Sequence, residues 1–166
     1  TAVTNYPNGQ NQFEFENQYG TEPVSIEITG SKTLAHDTSL TPADITGKFT
    51  FTLEALTEGA PMPAQTTAVN DAAGNVDFGR ITFTTDLLQD VITTDNGVRT
   101  KEFEYKVTEA GSAAGVTNDV NASTGKTFKL TLTDDGNGNL TVTRNPADGP
   151  LFSFTNTYRV GELPSS

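Results

Sequence analysis

The 166-residue chain contains no cysteine and no tryptophan, and its single histidine is His36. Without cysteine there is neither a disulfide nor a thiolate metal site, and one histidine leaves little for a metal centre or a serine-type triad. The missing indoles also weigh against a glycan platform of exposed tryptophans. Cationic side chains are scarce too, with 10 Lys and Arg against 21 Asp and Glu, a formal charge of -11. Such a surface repels nucleic acid phosphates and anionic membranes, so neither is expected as a partner. No apolar run approaches a membrane span and no basic-plus-apolar leader precedes one, so a soluble, mature or excised segment is expected, without membrane insertion. These shortages leave no cofactor, no metal and no conventional enzyme as the expectation.

What the chain does have is alternation. "VSIEI" places Val24, Ile26 and Ile28 on one face, "KFTFTL" does the same with Phe49, Phe51 and Leu53, and "FKLTL" with Phe128, Leu130 and Leu132. Strands of this kind, separated by turn residues, predict an all-β fold, an immunoglobulin-like β-sandwich. In "VDFGRITF" the apolar parity runs through Val76 and Phe78 and then slips to Ile81 and Phe83, which predicts a β-bulge at Gly79. "TDDGNGNLTV" predicts a hairpin in which Gly136 and Gly138 take positive φ; its spacing and the lack of a terminal glutamate count against a calcium loop.

Two stretches do not alternate. Residues 56–75, rich in small residues and proline, and residues 84–100, with a short helical turn expected at Asp86 to Val91, are expected to be surface loops. Loops on a rigid sandwich are also where recognition would lie. Residues 1–12 are turn-like, and "FEFENQY" with "YGTEP" after it has the character of a final strand and linker. The expected organisation is therefore a tail strand and linker of a preceding repeat at 1–23, a sandwich domain at 24–160, and a C-terminal linker at 161–166.

Three polar residues sit where the alternation calls for apolar ones. The even parity of "VSIEITGSKTL" reaches Lys32 before Leu34; the odd parity of "FEYKVTE" runs Phe103, Tyr105, Val107 and then Glu109; and in "FSFTNTY" Asn156 shares its parity with Phe152, Phe154 and Tyr158. Each alone has an ordinary explanation: a snorkelling lysine, a glutamate at a strand end, an asparagine serving backbone amides. Buried together they have a different chemistry. Desolvation pushes a lysine pKa down and a glutamate pKa up, so the pair can pass its proton and leave a neutral amine beside a carboxylic acid. A neutral amine is a nucleophile, and a carboxamide hydrogen-bonded by an acid is an electrophile. Lys32 attacking the side chain of Asn156 would expel ammonia and leave an isopeptide bond, with Glu109 polarising the carboxamide and shuttling protons. Contact enforced by folding can supply roughly 7 to 11 kcal/mol of the barrier.

At these residues the chain resembles the pilin isopeptide-linkage domain of Gram-positive pilins and surface adhesins, a B-type collagen-adhesin-like (CnaB-like) module. The matching elements are "ITGSKTL", "GKFTFTLEAL", "AVNDAAGNVDFGRITFT", "FEYKVTEA", "LTLTDDGNGNLTV" and "FSFTNTY", in order over residues 24–158. The resemblance implies a Lys32 to Asn156 cross-link assisted by Glu109, in a structural stalk or pilus repeat that is extracellular and cell-wall-anchored, with adjacent repeats of the same polypeptide as partners. "NYPNG" lacks the lysine of a polymerising pilin motif, and "GELPSS" only approaches the sorting pattern. "FEFENQY" repeats the final-strand motif with Asn17 in the place of Asn156, but no lysine precedes it, so Asn17 is expected to be unbonded. The alternative function is a ligand-binding adhesin domain in which loops 56–75 and 84–100 contact a host surface protein or glycan.

Overall fold

The computed structural model describes residues 21–94 and 96–160. The expected N-terminal strand around Asn17, "NYPNG" and "GELPSS" lie outside the described residues. Strands alternating a buried and a solvated face assemble as β1 (Val24–Ala35), β2 (Phe49–Ala55), β3 (Thr67–Val69), β4 (Asn75–Phe83), β5 (Arg99–Gly111), β6 (Val116–Thr117), β7 (Lys126–Asp134), β8 (Leu140–Asn145) and β9 (Ser153–Tyr158). They form a 4-stranded sheet in the order β4-β1-β9-β6 and a 5-stranded sheet in the order β3-β2-β5-β7-β8. The two pack face to face as the immunoglobulin-like sandwich that the alternation predicts.

Between the sheets lies a core rich in aromatic rings. Phe49, Phe51, Phe83, Phe103, Tyr105 and Phe154 are fully buried, and Phe51 faces Phe154 across 5.6 Å between ring centroids. Such tilted pairs favour the positive edge of one ring over the negative face of another. The inward rows are those expected from parity: Phe49, Phe51 and Leu53 in β2, and Phe128, Leu130 and Leu132 in β7.

The parity slip in β4 is a bulge. Ile28 of β1 pairs with Gly79 and Thr29 with Asp77, so Phe78 has no opposite number and Gly79 takes φ +90°. The extra residue keeps Val76, Phe78, Ile81 and Phe83 all inward. The β7–β8 hairpin carries Gly136 and Gly138 at positive φ, as anticipated, and the Asp135 carboxylate accepts from the backbone N–H groups of Asn137 and Asn139 at 2.7 and 3.1 Å.

Three elements differ from expectation. Residues 56–75 hold the edge strand β3, paired antiparallel to β2, because Thr67 to Val69 can add to an open ladder without contributing a hydrophobic row. The helical turn is a 3-10 turn at Thr85–Leu88, shorter and earlier than expected, with Leu88 buried as its anchor. Strand β6, two residues long, pairs with β9 and is too short to leave a periodic signal. Both non-alternating stretches have structural duties. Pro61 accepts the Tyr105 hydroxyl at 2.8 Å, and Arg99 joins the Leu88 carbonyl to the Asp134 carboxylate.

Strands β1 and β9 lie side by side and parallel, Ser31 opposite Ser153 and Leu34 opposite Asn156. Their close approach depends on Gly30, since a Cβ there would lie 2.3 Å from the ring of Phe152, which packs against Phe78 and Phe128. Gly30→Ala is therefore expected to overpack the core and destabilise the domain by about 1 to 3 kcal/mol. Urea unfolding checks this: a midpoint equal to that of the parent protein would contradict it.

Candidate functional site

Lys32, Glu109 and Asn156 come from three strands and two sheets, and they converge. Lys32 and Asn156 project from the neighbouring parallel strands β1 and β9, offset by two residues in register, so they are diagonal neighbours on the inner face. Glu109 reaches them from β5 of the facing sheet, where it pairs with Phe51. The Lys32 Nζ is 2.8 Å from Glu109 Oε2, and both side chains are fully shielded from solvent. Asn156, 0% exposed, donates from Nδ2 to the same Oε2 at 3.2 Å. Amine and carboxamide thus meet at one carboxylate oxygen.

The walls are apolar. Lys32 Nζ lies 4.2 Å from the Phe49 ring centroid, close enough for a cation–π contact, and the buried Phe154 and Phe51 stand opposite Lys32 and Glu109 in the strand registers. The approach of Nζ to Oε2 is close but lies outside hydrogen-bond alignment, and neither Nζ nor Glu109 Oε1 has a hydrogen-bond partner among the described residues. An ion held this way costs several kcal/mol of desolvation that the ion-pair attraction only partly repays. Burial accordingly pushes the Lys32 amine below its ordinary value, opposed by its contact with Glu109 and by the Glu109 and Asp119 charges.

The carboxamide is clamped from the other side by a segment that the alternation did not single out. The Asp119 backbone N–H donates to Asn156 Oδ1 at 2.9 Å, and Asn156 Nδ2 also donates to Asn118 Oδ1 at 3.3 Å. A backbone N–H can only donate, so the atom it meets is the oxygen, and the amide orientation follows. Glu109 consequently meets the carboxamide at its nitrogen. The oxygen is held by the backbone N–H of residue 119.

The same segment holds the other participants. The Ala122 carbonyl accepts the Glu109 backbone N–H at 2.8 Å. The Asp119 carboxylate accepts from the backbone of Thr155 at 2.8 Å, next to Asn156, from Asn121 at 2.9 Å, and from Lys126 Nζ at 3.1 Å. Asp119 and Asn121 in "TNDVNAST" are an Asx-turn signal, legible as a turn but silent about what the turn grips.

Residues 28–159 match the family described as FctA, a Spy0128-like isopeptide-containing domain. No curated protein matches the chain.

Burial pushes the Asp119 carboxyl up, but the Thr155 and Asn121 N–H groups and the Lys126 ammonium outweigh it and hold the group below its usual range. A carboxyl depressed by folding stabilises above its unfolded value, about 3.9, and that contribution is lost as pH falls through the folded value. The stability gap between the parent protein and Asp119→Asn is expected to be full above about pH 5 and to narrow as pH drops below about 4. Urea titrations of both proteins across this range measure it; a gap that widens on acidification would contradict the assignment.

Proposed function

This chain belongs to the Spy0128-like isopeptide-containing family, and from that membership together with the buried cluster we propose that it is a structural repeat of a Gram-positive surface pilus or stalk, self-cross-linked between Lys32 and Asn156. The observation that carries the reading is the convergence of Lys32 Nζ and Asn156 Nδ2 on Glu109 Oε2, at 2.8 and 3.2 Å, in a dry interior.

The reaction balances without any co-reactant. A proton passes from the Lys32 ammonium to Glu109, giving a neutral amine and a carboxylic acid. The amine nitrogen attacks Cγ of Asn156 and the C–Nδ2 bond breaks. Glu109 delivers its proton to the departing nitrogen and receives one from the attacking nitrogen. One amide forms and one ammonia leaves. Glu109, already on Nδ2, stands where a proton donor for the leaving group is needed. The chemistry occurs once per molecule, so the domain is not a turnover enzyme.

The mechanical consequence follows from topology. Force entering at Val24 and leaving beyond Tyr158 loads the parallel β1–β9 pair in shear. A bond between residues 32 and 156 would carry that load along β1 and the end of β9, leaving the rest of the sandwich out of the path. Adjacent repeats of the same polypeptide are the partners this role implies, in an extracellular, wall-attached assembly.

Intact mass tests the proposal. The parent chain is expected to be lighter than its sequence by one ammonia, and Lys32→Met, Asn156→Ala and Glu109→Ala each to have the full sequence mass. A full-mass parent protein after complete folding would refute the cross-link. Closing a loop of about 124 residues also restricts the unfolded chain, so Lys32→Met is expected to lose about 5 kcal/mol in urea unfolding.

Single-molecule stretching addresses the load path separately. Freeing a loop of about 124 residues at about 3.5 Å each releases roughly 400 Å of contour. Lys32→Met is expected to show that unfolding step, and the parent protein to reach rupture without it. A parent protein that lengthens as much as the variant would contradict the proposed path.

A further inference from the structure

We infer that the backbone N–H of Asp119 is the oxyanion donor of the self-cross-linking reaction, and that the segment from Asn118 to Ala122 is a clamp that presents it. The inference rests on the Lys32 to Asn156 condensation proposed above and assigns to it a participant outside the Lys, Glu and Asn residues.

When the Lys32 amine adds to Cγ of Asn156, the C=O double bond becomes a C–O single bond and negative charge collects on Oδ1. Glu109 does not serve that atom, because its Oε2 is bonded to Nδ2. The group that does is the Asp119 N–H, 2.9 Å from Oδ1, a separation within the range expected of an oxyanion donor. The bond is part-buried and Asn156 itself is 0% exposed, so a fixed dipole acts on its oxygen with less screening than in water. Collapse of the intermediate restores the double bond and expels the nitrogen, which Glu109 and Asn118 already hold, as ammonia. The donor keeps its place throughout, and the new amide oxygen remains its acceptor.

The donor is fixed from several directions. Asp119 uses one carboxylate oxygen to cap its own turn at Asn121, and the other to bind Thr155 and Lys126. Lys126 in turn donates to the Ser153 carbonyl at 2.6 Å. These contacts tie the clamp to β9 on both sides of Phe154, so Asn156 cannot move away from the N–H without breaking them. At the far end, the Ala122 carbonyl holds the backbone of Glu109. One short segment thus sets the spacing between the acid and the electrophile. Asp119 has two separable roles: its N–H meets the reacting oxygen, and its side chain positions that N–H.

The test replaces this one N–H by an ester oxygen, introducing the α-hydroxy analogue of aspartate at position 119 in the full chain. Unreacted chain is held in denaturant and refolded by dilution. Refolding is followed by circular dichroism and cross-linking by the loss of one ammonia in intact mass. The ester chain is expected to regain the parent dichroism and to lose ammonia at least tenfold more slowly, with about 10²- to 10³-fold anticipated for a single oxyanion donor. Slowing by less than tenfold in a folded ester chain overturns the inference while leaving the cross-link intact. A parent chain that folds without losing ammonia overturns the cross-link itself, and this inference with it.

Should the ester chain not refold, amide hydrogen exchange in Lys32→Met, where the reaction is arrested, decides instead. The Asp119 amide is expected to be protected there, and to lose that protection when Asn156→Ala is added. Free exchange at Asp119 in Lys32→Met, or protection unchanged by Asn156→Ala, overturns the inference.

Discussion

The structure is organised around an ion pair that water cannot reach. Lys32 and Glu109 meet at 2.8 Å with both side chains fully shielded. In such a place neither ion is well served. The amine has an aromatic ring and one carboxylate oxygen near it, and the second carboxylate oxygen has no hydrogen-bond partner among the described residues. Replacing a pair of this kind with apolar side chains of similar volume is often neutral or stabilising, so its stability contribution does not explain its presence. The proposed cross-linking gives it a role instead, because desolvation is what turns an ammonium into a nucleophile.

The fold supplies the geometry with few parts. A parallel β1–β9 pair puts the amine and the carboxamide on adjacent strands, and the facing sheet delivers the acid to the same point. The Phe49 ring lies against the amine. The connection between β6 and β7 then adds what strands cannot provide, a backbone N–H aimed inward at a side chain. Within a sheet, N–H groups lie along the ladder and not across the sandwich, so an inward donor has to come from a turn.

Much of this was legible because strands impose a period of two. Lys32, Glu109 and Asn156 stood out as polar residues on apolar parity, and the slip at Gly79 and the glycines at 136 and 138 had direct local meaning. Strands β3 and β6 were not legible, since a three-residue edge strand and a two-residue bridge have no period to detect. The Asp119 clamp escaped for a different reason. Its decisive group is a backbone N–H, identical at every non-proline position, and what distinguishes it is a register set by the tertiary fold. The orientation of the Asn156 amide was hidden in the same way: parity puts Glu109 beside the carboxamide but does not say which of its atoms Glu109 meets, which is the nitrogen.

The proposed condensation also removes the strain that makes it possible. Before reaction the interior holds a cation and an anion, each costing several kcal/mol to desolvate. Ammonia departs as a neutral molecule, so the balance of protons leaves an amide where the ammonium was and a carboxylic acid where the carboxylate was. Both buried charges disappear, and the acid gains a proton with which to hydrogen-bond the new linkage. The escape of ammonia to solvent makes the step hard to reverse, and the relief of desolvation makes the product the better folded state. Under the proposed condensation, a domain that carries an awkward ion pair through folding would end with that pair neutralised and a covalent tie between β1 and β9.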